Sequence, residues 1–156
     1  MQVQAYRLHR PLGPVSPVVF SSPHSGAEYT AEFLAMTGLD ALAIRSSEDA
    51  FVDRLFAAAP DHGAPLIAAR APRAYLDLNR APDELDPALI AGVTRIAHNP
   101  RISSGLGVIP RVVANGRAIY QGKLPMAEAE ARIAHVWHPY HAALRGLIDA
   151  AHAAHG

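Results

Sequence analysis

The longest regular pattern of apolar positions lies late in the chain. Ile133, Val136, Trp137, Tyr140, Leu144, Leu147, Ile148 and Ala151 recur every three or four residues. That is the period of an α-helix with one buried face. Pro125 stands where a first helical turn accepts proline. Pro139 falls inside the pattern, where a missing backbone donor predicts a kink. Two short apolar runs bounded by turn residues, 15–20 and 64–69, predict buried strands. Residues 74–79 alternate, with Leu76 and Leu78 on one side and Tyr75, Asp77 and Asn79 on the other. This pattern predicts a half-buried strand. Residues 31–36 suggest a short helical turn closed by Gly38. Ser46 or Ser47 is placed to cap a further helix, on which Phe51, Val52, Leu55 and Phe56 share a face. Pro60-Asp61-His62-Gly63 stops it. Residues 81–87 read as a loop, and 90–107 as a long irregular segment. Asn115-Gly116, set between 111–114 and 117–120, is a hairpin signal because it accepts positive φ. Strands and helices alternate in the first half, which indicates an α/β layering.

Composition narrows the possibilities. The chain has 156 residues, half of them hydrophobic and 18% charged. This suits a single α/β domain over 1–156 with a real core and excludes a wholly disordered chain. Fourteen basic residues balance fourteen acidic ones. A neutral chain has no bulk attraction to nucleic acid or to an acidic membrane. No run approaches the ~18 apolar residues of a membrane span. The first residues lack a basic-then-apolar leader, so a cytoplasmic location is expected. Cysteine is absent, which removes disulfides, thiolate metal sites and Cys nucleophiles. Every basic residue except Lys123 is Arg, the side chain that grips carboxylates with two parallel bonds. The chain closes at His155-Gly156 inside a helical pattern, as if more protein should follow.

Several polar residues stand where chemistry is possible. His24 follows the first apolar run in Pro23-His24-Ser25-Gly26. Imidazole is a metal ligand and a general base near neutral pH, and Gly26 lets a ligand approach the backbone. A loop histidine with one backbone hydrogen bond would leave the same trace. Glu48 and Asp49 sit at a helix start, where the dipole alone favours acids; facing His24, one could instead be a metal ligand. Arg73, Tyr75, Asp77, Asn79 and Arg80 are dense in polar groups. Asn79 and Arg80 could clamp a carboxylate, with Asp77 orienting the Arg; a surface salt bridge is the plain alternative. His135, His138 and His141 recur every three residues. On a helical wheel His135 lies opposite the apolar stripe, His138 on its flank, and only His141 borders it. The first two are expected on a solvated face, while His141 and Arg145 could reach a site at the core edge. Met126, Trp137 and Tyr140 read as core.

Taken in order, Pro23-His24-Ser25-Gly26, Glu48-Asp49-Ala50-Phe51-Val52-Asp53-Arg54-Leu55, Arg73-Ala74-Tyr75-Leu76-Asp77-Leu78-Asn79-Arg80, Gly105-Leu106-Gly107-Val108-Ile109-Pro110 and Trp137-His138-Pro139-Tyr140-His141 resemble the N-formylglutamate amidohydrolase family. The resemblance covers essentially the whole chain. It implies a three-layer α/β/α fold similar to zinc carboxypeptidases and the phosphorylase-hydrolase-like folds. It implies hydrolysis of the formamide of N-formyl-L-glutamate, or a similar N-acyl amino acid, to formate and glutamate, late in a histidine degradation route. A zinc ion or another divalent metal is implied, with His24 as first ligand and Asp49 as acidic ligand, Glu48 its nearest rival. Arg73 takes the place of a positive group near the scissile carbonyl. Asn79 and Arg80, with Tyr75 and His141 nearby, match the substrate-binding side. The family continues past the point matching Gly156 with a further strand, a second imidazole ligand and a general-base carboxylate. This chain is therefore expected to be the N-terminal portion of a longer domain. The competing expectation is a non-catalytic amino-dicarboxylate binding protein, or an inactive fragment of such an enzyme.

Overall fold

The computed structural model describes residues 4–94 and 99–156. The chain is mixed α/β. Three strands form one sheet in the order β1-β3-β2: β1 (Tyr6–His9), β2 (Phe20–Ser22) and β3 (Leu66–Ala69). The middle strand pairs antiparallel with β1 (Tyr6 opposite Ala69) and parallel with β2 (Ser22 opposite Ala68). Every residue of β3 is buried, as its unbroken apolar run predicts. β1 escaped the sequence reading although Tyr6 and Leu8 turn inward while Arg7 and His9 turn out.

The apolar run 15–20 does not form the expected buried strand. Val15 and Val18 are exposed, and the strand starts at Phe20 and ends at Ser22. Among the described residues β2 is an edge strand, hydrogen-bonded on the flank that faces β3. The segment 74–79 is not a strand either. It runs through turns, and Asp77 is buried beside Leu76 and Leu78 rather than opposite them. The alternation there reflects an Asx turn, in which the Asp77 carboxylate accepts the N–H of Asn79.

Helix α1 (Ala31–Met36) begins at Thr30, whose hydroxyl accepts the Phe33 N–H. Ser46 and Ser47 lie inside a 3₁₀ turn, Ile44–Ser47, and do not cap the next helix. That helix, α2 (Val52–Leu55), starts at Phe51 in the left-handed region (φ 66°) and leaves Phe51, Leu55 and Phe56 exposed. Pro60-Asp61-His62-Gly63 does not stop this helix as expected: α2 already ends at Leu55, and Pro60 to His62 lie inside a separate 3₁₀ turn, Ala59–His62, which Gly63 ends at φ 81°. The single turn α3 (Pro100–Ser103) interrupts the irregular segment, residues 95–98 of which lie outside the described residues. The hairpin is reduced to one bridge, Val112 to Ala118. Its turn is as expected, with Asn115 and Gly116 both at positive φ.

The late helix is the largest element. α4 (Met126–Arg132) runs into a π turn (Ile133–Trp137) and then α5 (His138–His155). The π turn bonds the His138 N–H to the Ile133 carbonyl. Pro139 follows directly, so the wide turn takes the place of a plain kink. Ala129, Arg132, Val136, Tyr140, Leu147 and Ala151 face the core. His135 and His138 are exposed, as the wheel predicts. The Tyr140 hydroxyl shares a 2.8 Å hydrogen bond with Ser21 of β2, and this ties the helix to the sheet. No helix among the described residues is long and apolar enough to cross a membrane.

Candidate functional site

The site is built where the chain leaves β2 and β3 at the same end of the parallel pair. Ser22 ends β2, and its hydroxyl donates to Ser25 (2.7 Å). This turns residues 23–26 back over the exit of β3. Gly26 lies so close to the backbone of Arg70 and Ala71 that an added Cβ would collide with both. The Glu28 N–H bonds the Arg70 carbonyl (3.0 Å). His24 is thereby set down, nearly buried, against the segment that follows β3.

Asp77 occupies the centre of the cluster. One carboxylate oxygen accepts from His24 Nε2 (2.7 Å) and from the Asn79 N–H (2.8 Å). The other accepts from Arg73 Nε (3.0 Å). The Asp77 N–H donates to the Val108 carbonyl (2.8 Å), which anchors the segment to the core. Its side chain is 3% exposed. Burial alone would raise this carboxyl. The hydrogen bond and charge of His24, the charge of Arg73 and the Asn79 N–H outweigh it and hold Asp77 below the ordinary carboxylate range.

Asp49 approaches the other side of the imidazole. Its Oδ2 lies 3.3 Å from His24 Nδ1, and its N–H bonds the His24 carbonyl at 3.0 Å. Glu48, in contrast, is turned away: Tyr29 donates to it at 2.5 Å and Arg45 at 3.1 Å. Between the two acids, it is Asp49 that faces His24. A neutral imidazole carries one N–H. The short bond places it on Nε2, toward Asp77. The bare Nδ1 then faces a carboxylate oxygen, an arrangement that needs a cation or a second proton between them. The 3.3 Å gap is near the ~3.4 Å that separates two donors on one tetrahedral zinc at ordinary bond lengths. The pair therefore fits a metal as part of its donor set. Among the described residues no group of three or more His, Asp or Glu side chains is placed to hold a metal ion.

The terminal nitrogens of Arg73 have no partner among the described residues, and Arg73 borders a cavity of about 430 Å³ with Ser47, Leu106, Pro110 and Asn115. Asn79 is exposed beside it in sequence. Arg80 is 12% exposed at its side chain, and its nearest acid, Glu84, stands 3.7 Å away. Arg80 Nε and Glu84 Oε2 are both buried without a hydrogen-bond partner. Trp137 Nε1 donates to the Arg80 carbonyl (2.8 Å). His141 Nε2 lies 2.9 Å from the Leu78 carbonyl. The indole and imidazole stack at 3.9 Å, so His141 props up the 78–80 turn from below.

The structure thus brings His24, Asp49 and Arg73 together, with Asn79 attached through its backbone. Arg80 and His141 flank them. Tyr75 goes elsewhere. Its ring lies 4.1 Å under the Arg132 guanidinium and lines a separate cleft with Phe33 and Glu128. Arg145 is exposed. Sequence reasoning gave Asp77 only the task of orienting an Arg. The signal for its central place was available in Asp77-Leu78-Asn79, an Asx-turn string that the strand reading obscured.

Comparison with known proteins adds independent findings. The family model described as N-formylglutamate amidohydrolase matches residues 16–156. An N-formylglutamate deformylase of Pseudomonas aeruginosa is 33% identical over 127 residues, covering 80% of this chain and 42% of that protein. One from Pseudomonas putida is 30% identical over 135 residues, covering 85% and 45%. The crystal structure of an N-formylglutamate amidohydrolase from Ralstonia eutropha JMP134 superposes with a TM-score of 0.90 at 37% identity, over 99% of this chain and 55% of that one. The chain spans about half the length of the relatives it matches.

Proposed function

The chain belongs to the N-formylglutamate amidohydrolase family, and on that premise we propose that it serves the hydrolysis of the formamide bond of N-formyl-L-glutamate. The observation that carries the reading is the convergence of His24, Asp49 and Arg73 on and around Asp77. The fold that goes with this reading is the three-layer α/β/α arrangement.

His24 and Asp49 are two of the roughly three protein ligands a catalytic zinc takes. When bound, such an ion is a Lewis acid that polarises the amide carbonyl and acidifies water. Arg73, with its Nε fixed on Asp77, keeps its terminal N–H groups for the oxyanion that develops on the formyl carbon. Arg80 and Asn79 take a substrate carboxylate. The Arg80 guanidinium is largely buried 3.7 Å from Glu84, which holds this cation in one place, and a guanidinium can grip a carboxylate with two parallel bonds. His141 holds the turn that presents both residues. The substrate is small and acidic, in keeping with the Arg-only bias of the basic residues.

Formate release from N-formyl-L-glutamate by the zinc-loaded chain tests the proposal. His24→Ala and Arg80→Ala should each abolish it, Arg80→Ala chiefly through KM. Activity that survives complete metal removal would sink the metal-dependent reading. A second reading, binding of an amino dicarboxylate without turnover, is favoured by the two-donor set among the described residues. It predicts that glutamate raises the melting temperature without zinc and that no formate appears.

A further inference from the structure

Resting on that reading, we propose that the cavity beside Arg73 seats the acyl group of the substrate, and that the chain takes uncharged N-acyl groups larger than formyl. The cavity measures about 430 Å³, room for more than ten waters at ~30 Å³ each. Leu106, Pro110, Val112 and Val113 give it apolar walls, and Arg73 is the one charged residue among its described lining. Ser47, two residues before Asp49, lines it as well. The cavity therefore adjoins both the guanidinium and the loop that carries the acid.

The order of groups along an N-acyl amino acid assigns this space. The carboxylate and the side chain branch from the α-carbon, on the nitrogen side of the scissile bond. The acyl substituent lies beyond the carbonyl carbon. With the carboxylate at Arg80 and the carbonyl oxygen at Arg73, a cavity bordered by Arg73 and not by Arg80 or Asn79 meets the acyl end. A formyl group would put a single hydrogen atom into it. Hydrolysis of a longer acyl group breaks the same C–N bond, with water supplying the hydroxyl to the acid and a proton to the amine. The acyl group is uncharged, because apolar walls penalise a charge without a partner and Arg73 is committed to the oxyanion. The wall itself is firmly built, by the Gly105–Pro110 stretch that no step above has used. The Leu106 N–H bonds the Arg101 carbonyl, and the Val108 N–H bonds the Glu84 carbonyl, each at 2.8 Å. The Val108 carbonyl takes the Asp77 N–H. A Cβ on Gly107 would come within 2.5 Å of the Glu84 carbonyl oxygen. One stretch thus anchors the segment that holds Arg73 and carries Leu106 and Pro110 to the cavity, so wall and guanidinium keep a fixed spacing.

The test is isothermal titration of the full chain with N-formyl-, N-acetyl-, N-propionyl- and N-butyryl-L-glutamate, with a chelator present so that binding is read without turnover. Each buried methylene should tighten Kd about fourfold, so the N-propionyl compound should bind about 15-fold more tightly than the N-formyl one. Leu106→Trp fills the cavity from its wall. Ala114→Trp fills it from an exposed position on its rim, so this arm stands even if Leu106→Trp fails to fold. Either substitution should erase the gain with acyl length and draw the Kd values together. Equal or weaker binding of the longer acyl groups overturns the proposal, as does a length preference that survives both tryptophans. Arg80→Ala should weaken all the ligands in parallel. A wild-type chain that binds none of them, or an Arg80→Ala chain that binds them all as before, refutes the carboxylate clamp and takes the acyl assignment with it. A zinc-loaded chain that releases formate while the titration ranks N-formyl tightest keeps the proposed reaction and loses the acyl assignment alone.

Discussion

Replacing Gly26 by Ala should damage the site without touching a functional side chain. A Cβ at position 26 would fall within 3 Å of three backbone atoms: the Ala71 carbonyl oxygen, the Ala71 carbonyl carbon at 2.7 Å and the Arg70 carbonyl carbon at 2.8 Å. None of these is the end of a flexible side chain. Carbon atoms pack at about 3.5 Å or more, so the carbonyl carbons demand a shift of roughly 0.8 Å and the oxygen demands more. The loop carrying His24 must then lift from the segment carrying Asp77. An added separation of about 1 Å takes the 2.7 Å His24–Asp77 bond outside hydrogen-bonding range. Overpacking costs about 1–3 kcal/mol, and a broken hydrogen bond to a charged group about 1.5–3 kcal/mol more. Restricting the unfolded chain returns only about 0.4–1 kcal/mol. The net loss is roughly 2–5 kcal/mol, a large share of the stability of a small domain. Displacement by 1 Å also costs about 100-fold in turnover. Urea unfolding followed by Trp137 fluorescence reads the first quantity, and formate release the second. A Gly26→Ala chain with the wild-type midpoint and wild-type turnover would refute the packing argument outright.

Other perturbations separate the core from the site. Arg132 is 1% exposed and bonds Glu128, the Tyr120 hydroxyl and the Tyr75 carbonyl beneath aromatic rings. Arg132→Ala should therefore cost about 2–5 kcal/mol in urea, because it empties a buried site and leaves the Tyr120 hydroxyl and the Tyr75 carbonyl without their donor. Arg132→Met, which keeps the volume, should cost clearly less. The Tyr140 phenol is pushed up to about 12 by burial, although its bond with Ser21 pulls the other way. A raised pKa gives stability that is complete below the ordinary value near 10 and lost as pH rises through 12. This amounts to roughly 3 kcal/mol, and alkaline unfolding curves of Tyr140→Phe should lack that loss. At the acid end the sign reverses. Asp77 is held below the usual carboxylate range, so its contribution is present above about pH 4 and falls away as pH drops through its lowered value. Asp77→Asn should flatten that limb of the acid titration followed by circular dichroism.

Much of the architecture was legible because it rests on local rules. The stripe from Ile133 to Ala151, the run ending at Ala69, the short helix over 31–36 and the Asn115-Gly116 turn all follow from periodicity or from φ preferences of single residues. The failures are those of tertiary context. Residues 15–20 look like a core strand because they are apolar, but the sheet uses only their end and leaves Val15 and Val18 exposed. Residues 74–79 alternate by accident of an Asx turn, and a two-residue period cannot distinguish that from a pleat. At the site, His24, Asp49 and Arg73 were identifiable as residue types in suggestive places. Their meeting depends on Asp77, which is 53 residues from His24 in sequence, and nothing local announces such a bond. Tyr75 shows the converse. It shares a motif with Arg73 and Asp77, yet the turn sends its ring to Arg132.

The π turn before Pro139 carries a consequence for the history of this helix. A turn of that kind is an α-helix with one residue too many. Deleting one residue within 133–137 would restore regular geometry and rotate everything after it by about 100° relative to what comes before. Tyr140 would swing away from Ser21, and His141 from the Leu78 carbonyl, while α4 stayed in place. The extra residue thus acts as a phase correction. It allows Trp137 to reach the Arg80 carbonyl from within the wide turn and His141 to reach Leu78 from just beyond it. The aim of the 78–80 turn is written into the count of residues on a helix that never enters the site.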